Sequence, residues 1–265
     1  MAKPLILITN DDGINSPGLL AVAEAVLPLG EITVVAPSNQ QTSMGRSLCG
    51  DPDDCLNEIN LGIKGVTAYH CGCSPARVVL HAIDILYTGR KPDLIISGIN
   101  YGENLGSNVT ISGTIGAVIQ GAAMGIPGLA VSLQTDIKSH RKHSEADWAA
   151  AKHFASLFAS KMLSRMLPDD VDIVNVNIPS SATAKTPWKI TRLSRQPYFA
   201  NKIKSPNLLS KIGEGICITA FDEASLDPAS DIYAIIKDCV VSVTPLSLDS
   251  TSRVELDMIN KMFRI

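Results

Sequence analysis

No stretch of this 265-residue chain approaches the roughly 18 consecutive apolar residues that a membrane-spanning helix requires. The first strand-like run, Leu5–Thr9, is too short, and too soon followed by Asp11 and Asp12, to act as a signal peptide. These absences predict a soluble cytoplasmic protein with no membrane partner. A basic stripe is missing as well. Lys and Arg number 23 against 26 Asp and Glu, a formal net charge of −3, whereas duplex nucleic acid is bound through clustered cations, so it is excluded as the main partner. The one basic cluster, Lys138, His140, Arg141, Lys142 and His143, reads as a solvated loop before a helix, with a ligand-facing edge as the alternative. None of the six cysteines stands in a Cys-x-x-Cys pair, and Cys71 and Cys73, separated by Gly72 alone, make a poor zinc clip. Reduced structural thiols are expected, with closure of Cys49 onto Cys55 under oxidation as the alternative. There is no internal repeat and no low-complexity tract. No Gly-x-Gly-x-x-Gly turn follows the first strand, which weakens a dinucleotide-dependent oxidoreductase.

Continuous apolar runs bounded by Gly, Pro or Asp alternate with stretches of helical spacing, the pattern of parallel strands buried on both faces. The predicted strands are Leu5–Thr9, Ile32–Ala36, Val66–His70, Leu94–Ser97, Leu129–Leu133 and Ile173–Ile178. The predicted helices are Pro17–Leu27, Pro75–Tyr87, Thr114–Met124 and Glu145–Leu167, the first opened by Ser16 as N-cap. Right-handed crossovers stack such units into a doubly wound, Rossmann-like, mostly parallel α/β sheet whose ligand crevice lies at the carboxyl ends of the strands. After about residue 185 the texture changes. Strands such as Lys189–Leu193 and Val240–Val243 lie between Pro- and Asn-containing segments without clear helices, and 201–215 reads as a loop or arm. The expected division is an α/β core over 1–184 and an antiparallel β extension and arm over 185–265.

Four segments carry chemistry, and each has a plainer reading. Asn10-Asp11-Asp12-Gly13 follows the first strand; adjacent carboxylates in a crevice repel unless a cation joins them, and a hard divalent ion such as Mg²⁺ or Mn²⁺ prefers oxygen ligands. An Asp-Asp-Gly surface turn is the competing view. Ser97-Gly98-Ile99-Asn100-Tyr101-Gly102-Glu103-Asn104 gives a backbone-lined, oxygen-rich loop suited to a metal or phosphate, or a Gly-rich loop that merely lets segments approach. Ser112-Gly113-Thr114 opens a helix, so its exposed amides and two hydroxyls make a phosphate cradle or an ordinary cap. The polar stretch Gln40–Ser47 after the second strand offers a hydroxyl and the charge of Arg46 to the same crevice, or is a loop.

Taken together, Asn10-Asp11-Asp12-Gly13, Ala36-Pro37 with its Ser/Thr-rich loop, Lys91-Pro92-Asp93-Leu94 running into Ser97-Gly98-Ile99-Asn100, and Ser112-Gly113-Thr114 resemble the SurE nucleotidases, also called stationary-phase survival proteins. The resemblance continues through Val174–Pro179, Thr191-Arg192-Leu193, Asp231 and Val241–Leu246, nearly the whole chain. It implies hydrolysis of nucleoside 5′- and 3′-monophosphates, and of short polyphosphate, with one divalent metal ion per subunit. It maps the metal ligands to Asp11, Asp12, Asn100 and the hydroxyl of Thr42, where the family usually has serine; a one-residue shift would give that role to Ser43. Asp11, Asn100, Ser112 and Thr114 form the expected catalytic set, and Asn104, Ser112, Gly113 and Thr114 the substrate-binding set. It also implies a homodimer or homotetramer assembled through exchanged carboxyl-terminal arms. Three departures bear on substrate choice: Cys73-Ser74-Pro75-Ala76-Arg77-Val78 loses the family's acid, Ser107 and Asn108 replace two acids, and 49–60 is more acidic than usual. An aspartyl-phosphate route is disfavoured, because the position two beyond Asp11 is Gly13 and not a second acid. The alternative class is a nucleotide-binding regulator that kept the fold and lost turnover.

Overall fold

The computed structural model describes residues 3–137 and 146–264. The basic cluster Lys138–His143 and the first residue of the predicted Glu145–Leu167 helix lie outside them. Six strands fall where apolar runs predict them: β1 (Leu5–Thr9), β2 (Glu31–Pro37), β4 (Val66–Cys71), β5 (Leu94–Tyr101), β6 (Gly128–Leu133) and β7 (Ile173–Ile178). The short β3 (Asn57–Glu58) precedes β4, while β8 (Trp188–Ile190) and β11 (Val241–Leu246) come late in the chain. Together they form one nine-stranded sheet in the order β3-β4-β2-β1-β5-β6-β7-β11-β8. The central pairs, from β4 through β2, β1, β5 and β6 to β7, are parallel, and β11 runs antiparallel to β7. This is the expected α/β architecture with an antiparallel addition.

Both sheet faces are covered, which is why the strands are apolar throughout. On one face α1 (Pro17–Val26) and α4 (Ala149–Ser164) bury Leu19, Val22, Phe154 and Phe158 against Ile6, Ile8 and Ile96. On the other, α2 (Pro75–Leu86) and α3 (Gly113–Ala122) pack Val79, Ile83, Ile115 and Val118 onto Leu7, Ile95 and Ala130. Ser16 occupies the N-cap of α1, but its hydroxyl makes no capping bond. Ser112 does cap α3: its Oγ accepts from the Ile115 amide at 3.2 Å.

The carboxyl-terminal third holds two helices where none was expected: α5 (Asp231–Ile236) and α6 (Leu256–Phe263). Six residues of α5 are too few for a periodic signature, and its cap, Ser230 Oγ to the Tyr233 amide, marks it more clearly than its apolar pattern. β8 and β11 join the main sheet and so do not form a separate layer. β9 (Phe199–Lys202) and β10 (Ile216–Thr219) alone make an independent antiparallel pair.

Candidate active site

β1 and β5 are neighbours, and from them the chain builds outward in opposite directions, to β2 and β4 on one side and to β6 and β7 on the other. A crevice opens at the carboxyl ends of strands flanking such a reversal. The loop after β1 delivers Asp11 and Asp12 there, and the end of β5 delivers Asn100. The register of β5 against β6 slips between Ser97 and Asn100. Gly98 allows this, because at its φ of +132° a side chain is strained, and a Cβ would sit 2.2 Å from the Val131 carbonyl oxygen.

Asp11 and Asp12 are almost fully buried. Burial, and then the charge of Asp12, pushes the Asp11 carboxyl up to about 7 against the lowering hydrogen bond from Thr114. Burial also pushes Asp12 up to about 6, opposed by the Tyr101 amide and the Gln40 side chain. The bonds are specific: Thr114 Oγ1 donates to Asp11 Oδ1 at 2.6 Å, Gln40 Nε2 to Asp12 Oδ1 at 2.9 Å, and the Tyr101 amide to Asp12 Oδ2 at 3.1 Å. Asn100 spends its Nδ2 on the carbonyls of Gly102 and Tyr101, at 2.7 and 3.2 Å. Acceptors on both sides of Nδ2 fix the amide's sense and leave Oδ1 for a ligand.

These groups border a cavity of about 360 Å³, within the range of small-molecule sites. Of the residues singled out in the sequence, Asp11, Asp12, Thr42, Asn100, Asn104 and Ser112 line it, and Ser43 lines it beside Thr42. Thr42 and Ser43 are both exposed, and Ser43 has a φ of +62°, so the loop turns sharply there. That loop is docked by the Gln41 amide on the Asp11 carbonyl, 2.6 Å, and by the Gly45 amide on the Ile111 carbonyl, 2.9 Å. Gly113 and Thr114 stand behind Asp11 and do not face the cavity. Gly113 must be glycine, since a Cβ would lie 2.7 Å from Asp11 Cβ. Arg46 is turned away, its Nε bonded to Gln120 Oε1 at 2.9 Å.

Asn104 is clamped on every side. Its amide donates to Asn177 Oδ1, its carbonyl accepts from the side chains of Asn175 and Asn177, and its Nδ2 donates to Ser132. The signal in the sequence was the pair of asparagines inside the apolar run Ile173–Ile178. Of the other wall residues, Glu103, buried and shifted upward mainly by desolvation, belongs to the oxygen-rich loop and Asn108 to a departure from the family pattern, whereas Phe199, Asn201 and Cys217 carry no signal in the sequence. The last three belong to the β9–β10 arm, for which the family resemblance implies a role in assembly.

A metal fits the donor set. Two burial-raised carboxylates, one oriented amide oxygen and two hydroxyls at the cavity form an all-oxygen group suited to a hard divalent cation. Among the described residues, no group of three His, Cys, Asp or Glu side chains is placed to hold a metal, so a zinc-type nitrogen and sulfur site is not formed there. All six cysteines are free thiols. No helix among the described residues is long and apolar enough to cross a membrane.

Residues 6–200 match the family described as "Survival protein SurE". The chain is 38% identical over 263 residues to the 5′-nucleotidase SurE of Methanocella arvoryzae, covering 98% of this chain and 97% of that one. It is 37% identical over 262 residues to the 5′-nucleotidase SurE of Thermococcus gammatolerans, covering 97% and 95%. The crystal structure of the SurE protein from Aquifex aeolicus superposes with a TM-score of 0.75 at 29% identity, over 98% of this chain and 99% of that one.

Proposed function

The chain belongs to the SurE family, and from that membership and the site's geometry we propose that it is a divalent-metal-dependent 5′-nucleotidase. Its substrates in this reading are nucleoside 5′- and 3′-monophosphates, with short polyphosphate as a further substrate, and it works as a homodimer or homotetramer. The observation that carries the proposal is the buried Asp11–Asp12 pair on a cavity that is also lined by Thr42, Ser43, Asn100 and Ser112.

Asp11, Asp12, Asn100 and the hydroxyl of Thr42 would hold one Mg²⁺ or Mn²⁺. Ser43, which faces the same cavity, would replace Thr42 if the loop register shifts by one. When bound, such an ion neutralises charge developing on phosphoryl oxygens and lowers the pKa of a coordinated water. The chain's own residues do the rest. Ser112, which caps α3 and is the one residue of that helix start on the cavity, offers its hydroxyl to the phosphate. Asp11, aimed by the Thr114 hydroxyl, orients the attacking water in line with the leaving oxygen and accepts its proton. Asp12, fixed by Gln40 and the Tyr101 amide, keeps its carboxylate in place without rearrangement. Asn104, immobilised by Asn175, Asn177 and Ser132, holds the loop edge against the phosphate.

Phosphate release from a panel of 5′- and 3′-nucleoside monophosphates and tripolyphosphate, with Mg²⁺, Mn²⁺ or chelator, tests this. Metal-dependent release from the monophosphates is expected; release undiminished by chelator after dialysis would defeat the metal assignment.

A further inference from the structure

We infer that the apolar part of this cavity is a nucleobase seat, with Phe199 supplying the stacking ring and Asn108 holding that ring's backbone in place. The inference rests on the nucleotidase reading and deepens it. The cavity lining divides by chemistry. Asp11, Asp12, Asn100 and Ser112 are the acidic and oxygen-bearing lining residues, whereas Ile111, Ile137, Phe199 and Ala200 are apolar ones, with the polar Asn201 and Cys217 beside them on the arm. A ligand that satisfies both halves carries an anionic group and a flat apolar one, which is the constitution of a nucleoside monophosphate. Inorganic phosphate or polyphosphate would leave the hydrocarbon half uncovered.

Phe199 is fixed in advance. The side-chain amide of Asn108 is wholly committed to the arm: Oδ1 accepts from the amides of Tyr198, 2.6 Å, and Phe199, 2.9 Å, while Nδ2 donates to the Phe199 carbonyl, 3.0 Å. Behind it Tyr198, nearly fully buried, meets the Phe199 ring edge-on, with centroids 4.6 Å apart, and stacks on Phe221 at 5.2 Å. The β9–β10 pair is a lone two-stranded sheet of the kind that is marginal unless anchored, so these contacts hold Phe199 at the cavity. Ile111 lies directly before Ser112 and is 50% exposed, an apolar side chain at the wall that a bound base would cover. Stacking on a ring face tolerates every base, so the seat admits all four and favours purines, whose face is larger.

The test compares adenosine 5′-monophosphate with ribose 5-phosphate, the same phosphate ester on the same sugar without the base. For each protein the readout is the ratio of the two kcat/KM values. In the unmodified enzyme the ratio is expected well above one. Phe199→Ala is expected to lower it about 5- to 150-fold, the range implied by loss of one base–aromatic stack. Phe199→Trp should preserve it, and Asn108→Ala, which keeps the ring but frees its backbone, should lower it less than Phe199→Ala does. Damage to folding depresses both substrates and leaves the ratio unchanged. If Phe199→Ala does not fold, Phe199→Leu takes its place, keeping apolar bulk without a ring. A ratio near one in the unmodified enzyme, or a ratio within twofold of it in the ring-less variant, overturns the seat. Should neither ester be hydrolysed, the nucleotidase reading fails. Calorimetric binding of adenosine 5′-monophosphate to the same proteins then decides the seat by the same factor.

Discussion

Replacing Asp11 by Asn should make the metal-free protein more stable while crippling it. Asp11 is pushed from an ordinary carboxylate value of 3.8 up to about 7, chiefly by burial and secondarily by the charge of Asp12. A folded-state pKa above the unfolded one means that the native state holds the proton more tightly, so stability falls as pH rises from about 4 to about 7 and is fully reduced above that. Three pKa units at 1.36 kcal/mol each bound the penalty near 4 kcal/mol at pH 8. Asparagine keeps an oxygen to accept from Thr114 Oγ1 and removes the charge. Part of the gain is offset where an amide replaces the oxygen that lies against Gly113. A net stabilisation of about 2–3 kcal/mol corresponds to roughly 5–10 °C in a protein of this size. The assay is thermal unfolding in chelator at pH 4 and pH 8, repeated with saturating Mn²⁺. The variant should melt higher than the unmodified protein at pH 8, but not at pH 4, where both carboxyls are largely neutral. With Mn²⁺ the order should reverse, because the ion stabilises the intact pair by mass action. Turnover should drop by about 10²–10³, the scale of one electrostatic group. Equal melting temperatures in chelator at pH 8 would refute the reasoning, since a buried, mutually repelling pair cannot lose one charge at no effect.

Thr42→Ala should raise the Mn²⁺ concentration needed for half-maximal activity more than Ser43→Ala does; the opposite order assigns the hydroxyl ligand to Ser43. Gly113→Ala should lower both stability and turnover, because its Cβ would stand 2.7 Å from Asp11 Cβ, and a substitution that left metal-dependent activity intact would show that Asp11 can shift without cost. The protein should run as a homodimer or larger in light scattering at micromolar concentration. The edge strand β8 leaves Ile190 63% exposed, and Leu208, Leu209 and Ile212 stand open on the arm, an apolar load that a second copy would cover. A monomer at that concentration would sink the expectation.

What was legible in the sequence was whatever repeats or abuts a strand. The runs at Leu5–Thr9, Leu94–Ser97 and Ile173–Ile178 announce buried parallel strands, and Asp11, Asp12, Asn100 and Ser112 follow strands or open a helix closely enough to be placed at one crevice. Leu256, Ile259, Met262 and Phe263 also recur at helical spacing, so α6 carries a legible signal of its own. β3 and β9 were not, since strands of two and four residues containing Asn, Glu and Lys carry no alternation to detect.

The same limit explains why the cavity's outer wall escaped. Asn108 meets Tyr198 and Phe199 across 90 and 91 residues, and Asp231 Oδ2 takes the Gly106 amide across 125. A hydrogen bond between such distant positions imposes no spacing rule on either segment, so neither end looks unusual by itself. The three bonds nonetheless act together, because Gly106 and Asn108 lie on the loop between Asn104 and Ser112, the one that borders the site. Pinning that loop from the carboxyl-terminal third carries the arm's Phe199 and Cys217 onto a cavity whose paired aspartates come from the first twelve residues. Chemistry and wall are therefore joined by topology. An arm expected to govern assembly is, in this chain, also part of the candidate cavity's wall.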